Sequence, residues 1–433
     1  MELFGTSKIN QKNHLEIGGC DTVELANQYG TPLFVYDVAL IKAKARGFKK
    51  TFEDLDMKHR VVYASKAFTS LALYKLLAAE GLAFDVVSGG ELHAALKAGV
   101  SPEMIEFHGN NKSAEELAMA VNVGIGTIVV DNFYEIELLK SILKETGKQQ
   151  KILLRVSPGV DAHTHSYILT GQEDSKFGFD VKSGQAEQAL QLVLADQGFD
   201  VIGIHCHIGS QIFGTEGFEA ATEKMMAILL DWQSRFNFVA SVLNLGGGFG
   251  VKYSDEDTPL EAPEYVKQIA TMVKVSSQAA AYPLPEVWIE PGRSIVAEAG
   301  TTLYTVGSRK SVPNVRNFVS VDGGMGDNIR PALYDATYSA VVANRMTAPA
   351  EEVVTVTGKY CESGDKLITD IQLPILAATD ILAIVTTGAY GYSMASVYNK
   401  NPRPAVVFVE NGESQLVLRR ETYDDLINLD VIN

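Results

Sequence analysis

Apolar residues along this chain change their spacing in a regular alternation. Runs such as Val61-Val62-Tyr63-Ala64 and Thr127-Ile128-Val129-Val130 read as buried strands, because they are short, continuous and rich in β-branched residues. Such runs occur at Val61–Ala64, Ala83–Val87, Met104–Phe107, Thr127–Val130, Ile152–Val156, Val201–His205, Val242–Leu245 and Val287–Ile289. Between them, apolar positions recur every three or four residues. That spacing predicts helices over Ser70–Gly81, Glu91–Ala98, Ala114–Val121, Glu135–Lys144, Gln185–Ala195, Phe218–Phe236 and Glu264–Ala281. Strands that alternate with helices pair in parallel through right-handed crossovers. Eight units in roughly 240 residues match a closed (β/α)8 barrel of the TIM type, with an open doubly wound sheet as the alternative.

After Gly300 the helical spacing fades. Thr302–Ser308, Phe318–Val321, Glu351–Thr357, Ile381–Thr386, Ala405–Glu410 and Ser414–Leu418 are short, β-rich and separated by Gly, Pro or Asn. A second, mainly β domain is therefore expected, joined by the strand candidate Leu33–Tyr36. The expected division is a barrel over residues 38–300, with residues 1–37 and 301–433 forming the β domain.

Composition narrows the classes. With 433 residues, 46% hydrophobic and 21% charged, the chain has the make-up of a globular protein with more than one core. Its net charge of −16 leaves no excess of Lys and Arg to neutralise phosphates, so no nucleic-acid partner is expected. Cys20, Cys206 and Cys361 are too few and too scattered for a disulfide framework or a zinc site. No signal peptide or membrane-length apolar run is visible, so the expected setting is the cytoplasm, without a membrane partner.

A (β/α)8 barrel collects its functional groups at the C-terminal ends of its strands. Lys66 follows the first strand, where a Schiff-base lysine would sit. Asp85 and Ser88 close the second, His108 and Asn110 follow the third, and Arg155 and Ser157 end the fifth. His207 and Ser210 follow the sixth, Gly246, Gly247 and Gly248 the seventh, and Glu290 and Arg293 the eighth. Surface polar residues would not favour one rim in this way. The glycine triplet is a candidate anion cradle, since peptide N–H groups without neighbouring Cβ atoms approach a phosphate closely; a tight turn is the other reading. His205 and His207, two apart, could face one metal, but no third ligand is tied to them by spacing and no metal is expected. Glu290 needs a cationic partner if buried, either a protonated ring nitrogen or simply Arg293.

These stretches, with others downstream, resemble the fold-type-III pyridoxal-phosphate enzymes, the ornithine/diaminopimelate/arginine decarboxylase family. The resemblance runs in order from about Thr31 to Ala405. It is carried by Tyr63-Ala64-Ser65-Lys66-Ala67, Asp85-Val86-Val87-Ser88-Gly89-Gly90, Ser175-Lys176-Phe177-Gly178, His207-Ile208-Gly209-Ser210-Gln211, Gly246-Gly247-Gly248-Phe249-Gly250 and Glu290-Pro291-Gly292-Arg293. In the β domain, Ile329-Arg330-Pro331-Ala332-Leu333-Tyr334, Cys361-Glu362-Ser363-Gly364-Asp365 and Gly388-Ala389-Tyr390 belong to the same likeness.

The resemblance implies pyridoxal 5′-phosphate held by Lys66, with Asp85 beside it and the His207 ring stacked on the cofactor. Ser210, the amides of Gly246, Gly247 and Gly248, and Tyr390 would hold the phosphate, and Glu290 the ring nitrogen. Arg293, Arg330 and Tyr334 would meet a carboxylate at the far end of an amino-acid substrate, and Glu362 an ammonium there. Such a pair of demands fits a zwitterionic distal end; lysine or ornithine would have no use for two arginines. Cys361 and Glu362 would reach a neighbouring barrel, giving a homodimer with shared active sites. Racemases of this fold place an arginine at the ring nitrogen, so Glu290 favours decarboxylation. The other readings are a decarboxylase of carboxynorspermidine or arginine, and a non-catalytic relative. The last would usually lack the lysine, the cysteine or the pyridinium partner, and this chain keeps Lys66, Cys361 and Glu290.

Overall fold

The structure, a computed structural model, describes residues 3–160 and 175–432; Met1, Glu2, residues 161–174 and Asn433, which fall within the expected domains, lie outside them. The apolar runs become strands because they are buried on both faces, as a parallel sheet covered by helices requires. β1 (His59–Ala64), β2 (Ala83–Val86), β3 (Ile105–Phe107) and β4 (Thr127–Val130) are followed by β5 (Gln150–Ser157), β6 (Phe199–His205), β7 (Val242–Asn244) and β8 (Glu286–Ile289). Every residue of β2, β3, β4 and β7 is buried. Neighbours pair in parallel around the whole circuit, from Val62 opposite Ala83 to Leu243 opposite Val287, and Ile289 opposite Val61 closes it. The barrel is therefore closed, and the open-sheet alternative falls away. A two-residue strand, Phe179–Asp180, pairs alongside β5.

Helix starts after the first four strands are set by side-chain caps that satisfy the first free N–H groups. Ser70 accepts from Leu73, Ser88 from Glu91, Ser113 from Glu116 and Asn132 from Glu135. Ser88, a strand-end candidate for chemistry, is thus a helix cap. The same logic trims the expected helix over Ser70–Gly81 to Leu71–Ala79: Ser70 lies outside as the cap, and Gly81 turns away with φ +76°.

Packing divides the chain into two units: Lys44–Gly250 with Pro259–Ser294, and Met1–Ala43 with Val251–Thr258 and Ile295–Asn433. The first is the barrel. In the second, the strands run in the order Lys366–Leu373, Glu352–Thr357, Arg316–Val321, Gly300–Val312, Leu33–Asp37, Ala405–Glu410, Glu413–Leu418. Phe34 lies opposite Thr302 and Val35 opposite Val407, so Leu33–Asp37 sits inside this sheet between Gly300–Val312 and Ala405–Glu410. Leu33, Val35, Leu303, Ala383, Val407 and Val409 form its buried core. No helix among the described residues is long and apolar enough to cross a membrane.

Candidate active site

Lys66 lies in the tight turn Ser65–Ala67 that follows β1, exposed between two buried neighbours. Tyr63 fastens the turn by donating its hydroxyl to the Phe68 carbonyl at 2.7 Å. At the end of β2, Asp85 is buried, and burial pushes its carboxyl up to about 8, against the pull of the Lys66 ammonium and with the push of Glu290. Asp85 therefore holds a proton through neutral pH. Arg155, in β5, is buried with its guanidinium 4.2 Å over the Phe177 ring and 3.8 Å from Asp131.

Glu290 follows β8 and is buried. Burial alone would raise its carboxyl, but His205, His108 and His207 outweigh that and hold it well below the usual carboxylate range. Its oxygen Oε1 accepts from Asn244 Nδ2 at 2.8 Å and lies 3.1 Å from His205 Nε2 and 3.4 Å from His108 Nε2. Burial holds His108 well below its ordinary value, so its ring is neutral. Behind them, Glu106 is fully buried, and burial followed by the nearby Glu290 charge raises it strongly, so it is a protonated acid. Neither Glu106 nor Asn244 is among the strand-end candidates read from the sequence. Each is one polar side chain inside an otherwise apolar strand, and that interruption was the only signal.

His205 and His207 do not act as a pair. His205 belongs with Glu290 and His108, their rings edge to face at 5.1 Å, whereas His207 Nδ1 accepts from the Gly247 N–H at 3.3 Å. Burial and the Lys66 charge keep His207 neutral. Among the described residues, His108, His205 and Glu290 form a group with metal-ligand spacing, their donor atoms within 4.8 Å of one another. Asn244 already occupies the same carboxylate oxygen.

The glycine triplet is required by close approach of backbones. A Cβ on Gly246 would stand 2.5 Å from the Cys206 carbonyl oxygen, on Gly247 2.0 Å from that of Glu290, and on Gly248 2.4 Å from that of Gly209. The segments after β6, β7 and β8 thus stack peptide on peptide. Gly246 N–H donates to Asn244 Oδ1 at 2.9 Å and Gly247 N–H to His207, so two of the triplet's amides have partners within the protein. Arg293 donates to Ser210 Oγ at 3.0 Å, joining the same two rims. A peptide cradle free of Cβ atoms, an ionised buried carboxylate, a neutral ring and an exposed lysine on one barrel end fit pyridoxal phosphate: an anion, a basic ring nitrogen, a planar face and an aldehyde.

The remaining candidates belong to the β unit. Arg330 opens the short helix Arg330–Tyr334, buried, with Nη1 donating to Tyr338 Oη at 2.6 Å and the Tyr253 ring 4.7 Å from its guanidinium carbon. Tyr334 is half-buried, and Tyr390 holds a left-handed backbone with φ +60°. Cys361 and Glu362 are exposed; the Cys361 N–H donates to Asn399 Oδ1 at 2.9 Å. Asp365, the last residue of that motif, is buried and accepts from Met325 N–H and Tyr360 N–H, so it shapes the loop.

Comparison with known proteins agrees with this chemistry. The family described as pyridoxal-dependent decarboxylase, pyridoxal binding domain, matches residues 38–297. A diaminopimelate decarboxylase of Bacillus methanolicus is 60% identical over 97% of this chain and 98% of its own, and that of Bacillus subtilis (strain 168) is 58% identical over 100% and 98%. The crystal structure of diaminopimelate decarboxylase from M. jannaschii in complex with L-lysine superposes with a TM-score of 0.93 at 35% identity, covering 99% of this chain and 98% of that one.

Proposed function

The chain belongs to the pyridoxal-dependent decarboxylases, and from that premise we propose that it converts meso-2,6-diaminopimelate to L-lysine and CO2, the closing step of lysine biosynthesis. It is a carboxy-lyase, and its cofactor is pyridoxal 5′-phosphate. The observation that carries the substrate is likeness over the full chain, at 58–60% identity, to curated diaminopimelate decarboxylases.

Bound pyridoxal phosphate supplies an electron sink for the pair left at Cα when CO2 departs, as long as its ring nitrogen stays protonated. Glu290 is assigned to hold that proton, and its ionised state supports the assignment. Lys66 Nζ is assigned to anchor the cofactor, and either Lys66 or Cys361 to return the proton to Cα. The neutral His207 ring packs on the cofactor's face, where a charged ring would compete with the protonated nitrogen. Ser210, the glycine loop and Tyr390 take the phosphate, with Gly248 the amide of the triplet best placed to donate, and Asp85 stays beside Lys66. Arg293, Arg330 and Tyr334 take the distal carboxylate; the tyrosine cage around Arg330 supports this, since a guanidinium fixed by rings keeps its remaining N–H fork for a planar anion. Glu362 takes the distal ammonium. Two copies assemble so that Cys361 and Glu362 of each serve the other's site, and the exposure of both residues is consistent with that role. As a biosynthetic enzyme it works in the cytoplasm.

Purified protein loaded with pyridoxal phosphate is expected to release CO2 from meso-2,6-diaminopimelate, and none from L-lysine, ornithine, arginine or carboxynorspermidine. Release from one of those four and not from the first would replace the assignment.

A further inference from the structure

All three described side-chain contacts of the Glu290 carboxylate fall on one oxygen. Asn244 Nδ2, His205 Nε2 and His108 Nε2 stand 2.8, 3.1 and 3.4 Å from Oε1. Asn244 is held in turn from both ends: its amide nitrogen also reaches Glu106 Oε2 at 3.3 Å, and its oxygen accepts the Gly246 N–H at 2.9 Å. Glu106 Oε2 lies 3.6 Å from His108 Nε2. These side chains come from β3, β6 and β7 or the residues just after them, and all are buried. Nothing in the reaction assigned above uses them.

We infer that His205 and His108 are positioning residues that present two N–H edges to Glu290 Oε1, and that Asn244 locks this oxygen to the glycine loop, so that the other oxygen, Oε2, is left aimed at the cofactor's ring nitrogen. The inference rests on the assignment of Glu290 to that nitrogen. Physically, a buried carboxylate stays ionised when donors satisfy it. Contacts confined to Oε1 leave Oε2 for the cofactor's cation. The titratable groups facing Glu290 are His205, His108 and His207, the protonated acids Glu106 and Asp85, the Arg155 guanidinium and the Cys206 thiol. Of these, His205 and His108 are the ones in contact with Oε1.

His205→Phe keeps a ring and removes the N–H; His205→Gln restores an amide donor. In the cofactor-free protein, the Glu290 carboxyl band, identified by its loss in Glu290→Gln, is followed by infrared spectroscopy against pH. It is expected to titrate about one pH unit higher in His205→Phe, a ten-fold change in proton affinity, and to move back in His205→Gln. With cofactor bound, the pH at which its absorbance changes shifts in the same direction. The acid limb of kcat then moves up and kcat falls at least ten-fold at unchanged KM. In a Glu290→Gln background, His205→Phe changes neither the absorbance titration nor the pH profile further. If His205→Phe does not fold, His108→Phe takes the same measurements. An unmoved carboxyl band in folded protein overturns the inference. So does a pH profile shifted by dialysis against a chelator, which would mean the three donors hold a cation. Absence of CO2 release from diaminopimelate would overturn the substrate assignment alone, because the infrared titration uses neither substrate nor cofactor.

Discussion

Gly247→Ala isolates the effect of close backbone approach at the cofactor loop. Gly246 and Gly248 have φ of +68° and +113°, so alanine there would be strained by conformation as well as by space. Gly247 carries no such angle, and its difficulty is contact alone: a Cβ would lie 2.0 Å from the Glu290 carbonyl oxygen and 2.9 Å from its carbon. Real Cβ contacts essentially never fall below 3.0 Å, so the two segments must part by about 1 Å at least. That stretches the 2.8 Å bond from Glu290 N–H to the Gly246 carbonyl and displaces the Glu290 side chain from Asn244. Overpacking of about 1–3 kcal/mol and one weakened buried hydrogen bond of about 1 kcal/mol together predict a loss of about 2–4 kcal/mol. Urea unfolding of the cofactor-free protein measures it, and fluorescence titration should show pyridoxal phosphate binding at least ten-fold more weakly. Gly47→Ala is the opposing control: a Cβ there meets nothing within 4 Å, the site lies inside the helix Val38–Asp54, and the variant should gain about 0.5–1 kcal/mol. If Gly247→Ala unfolds within 0.5 kcal/mol of the parent and binds the cofactor equally well, the peptide-on-peptide account of the loop is wrong.

Three other outcomes are expected. Lys112 Nζ is buried and donates to the Gly109 and Val129 carbonyls and to Glu135 Oε1, each at 2.8 Å, so Lys112→Met strands a buried carboxylate and should cost about 3–5 kcal/mol in urea unfolding, with Lys112→Met/Glu135→Leu recovering much of it. Burial, with Asp322 and Asp365 nearby, pushes Asp327 up to about 7; since its folded value exceeds the unfolded one near 3.9, its stabilisation is full below about pH 4 and lost as pH rises through 7, by up to about 4 kcal/mol. Asp327→Asn should flatten that part of the stability–pH curve between about pH 4 and 7. Finally, Lys66→Ala and Cys361→Ala, each inactive alone, should regain about a quarter of the parent rate when unfolded and refolded together, as random reassortment into two-fold dimers with one intact site requires; no recovery would place both residues in the same subunit's site.

How much of this was legible depended on whether a residue's role could be read from its own neighbourhood. The eight barrel strands were, because burial on both faces writes a continuous apolar run, and their observed ends differ from the expected ones by no more than two residues. The strand Lys366–Leu373 was not: its pairing to Glu352–Thr357 is broken by irregular register, and Asp370 takes φ +54°, so no alternation of period two survives. The helix Val38–Asp54 was hidden for another reason. Its buried stripe of Ile41, Ala45, Phe48 and Phe52 is narrow and interleaved with Lys42, Lys44, Arg46, Lys49 and Lys50. Strand-end residues such as Lys66, His207 and Glu290 stood out because the fold itself predicts where chemistry gathers. Glu106 and Asn244 did not, since what they touch lies in strands far away in sequence.

The charge on Glu290 shows why that distinction matters for mechanism. From the sequence, Glu290-Pro291-Gly292-Arg293 allowed a simple carboxylate–guanidinium pair. The structure gives an Arg293 N–H to Ser210 Oγ and surrounds Glu290 Oε1 with an amide and two imidazole edges from three other strands. An arginine fixed on the carboxylate would ionise it and spend that charge at once, leaving little field for a second cation. Here no guanidinium stands among the described contacts of Oε1, and the carboxylate is buried with Glu106 protonated behind it. A protonated ring nitrogen entering that site finds an anion whose described side-chain contacts all fall on Oε1. Burial, which by itself would have neutralised Glu290, then strengthens the one ion pair that decarboxylation needs.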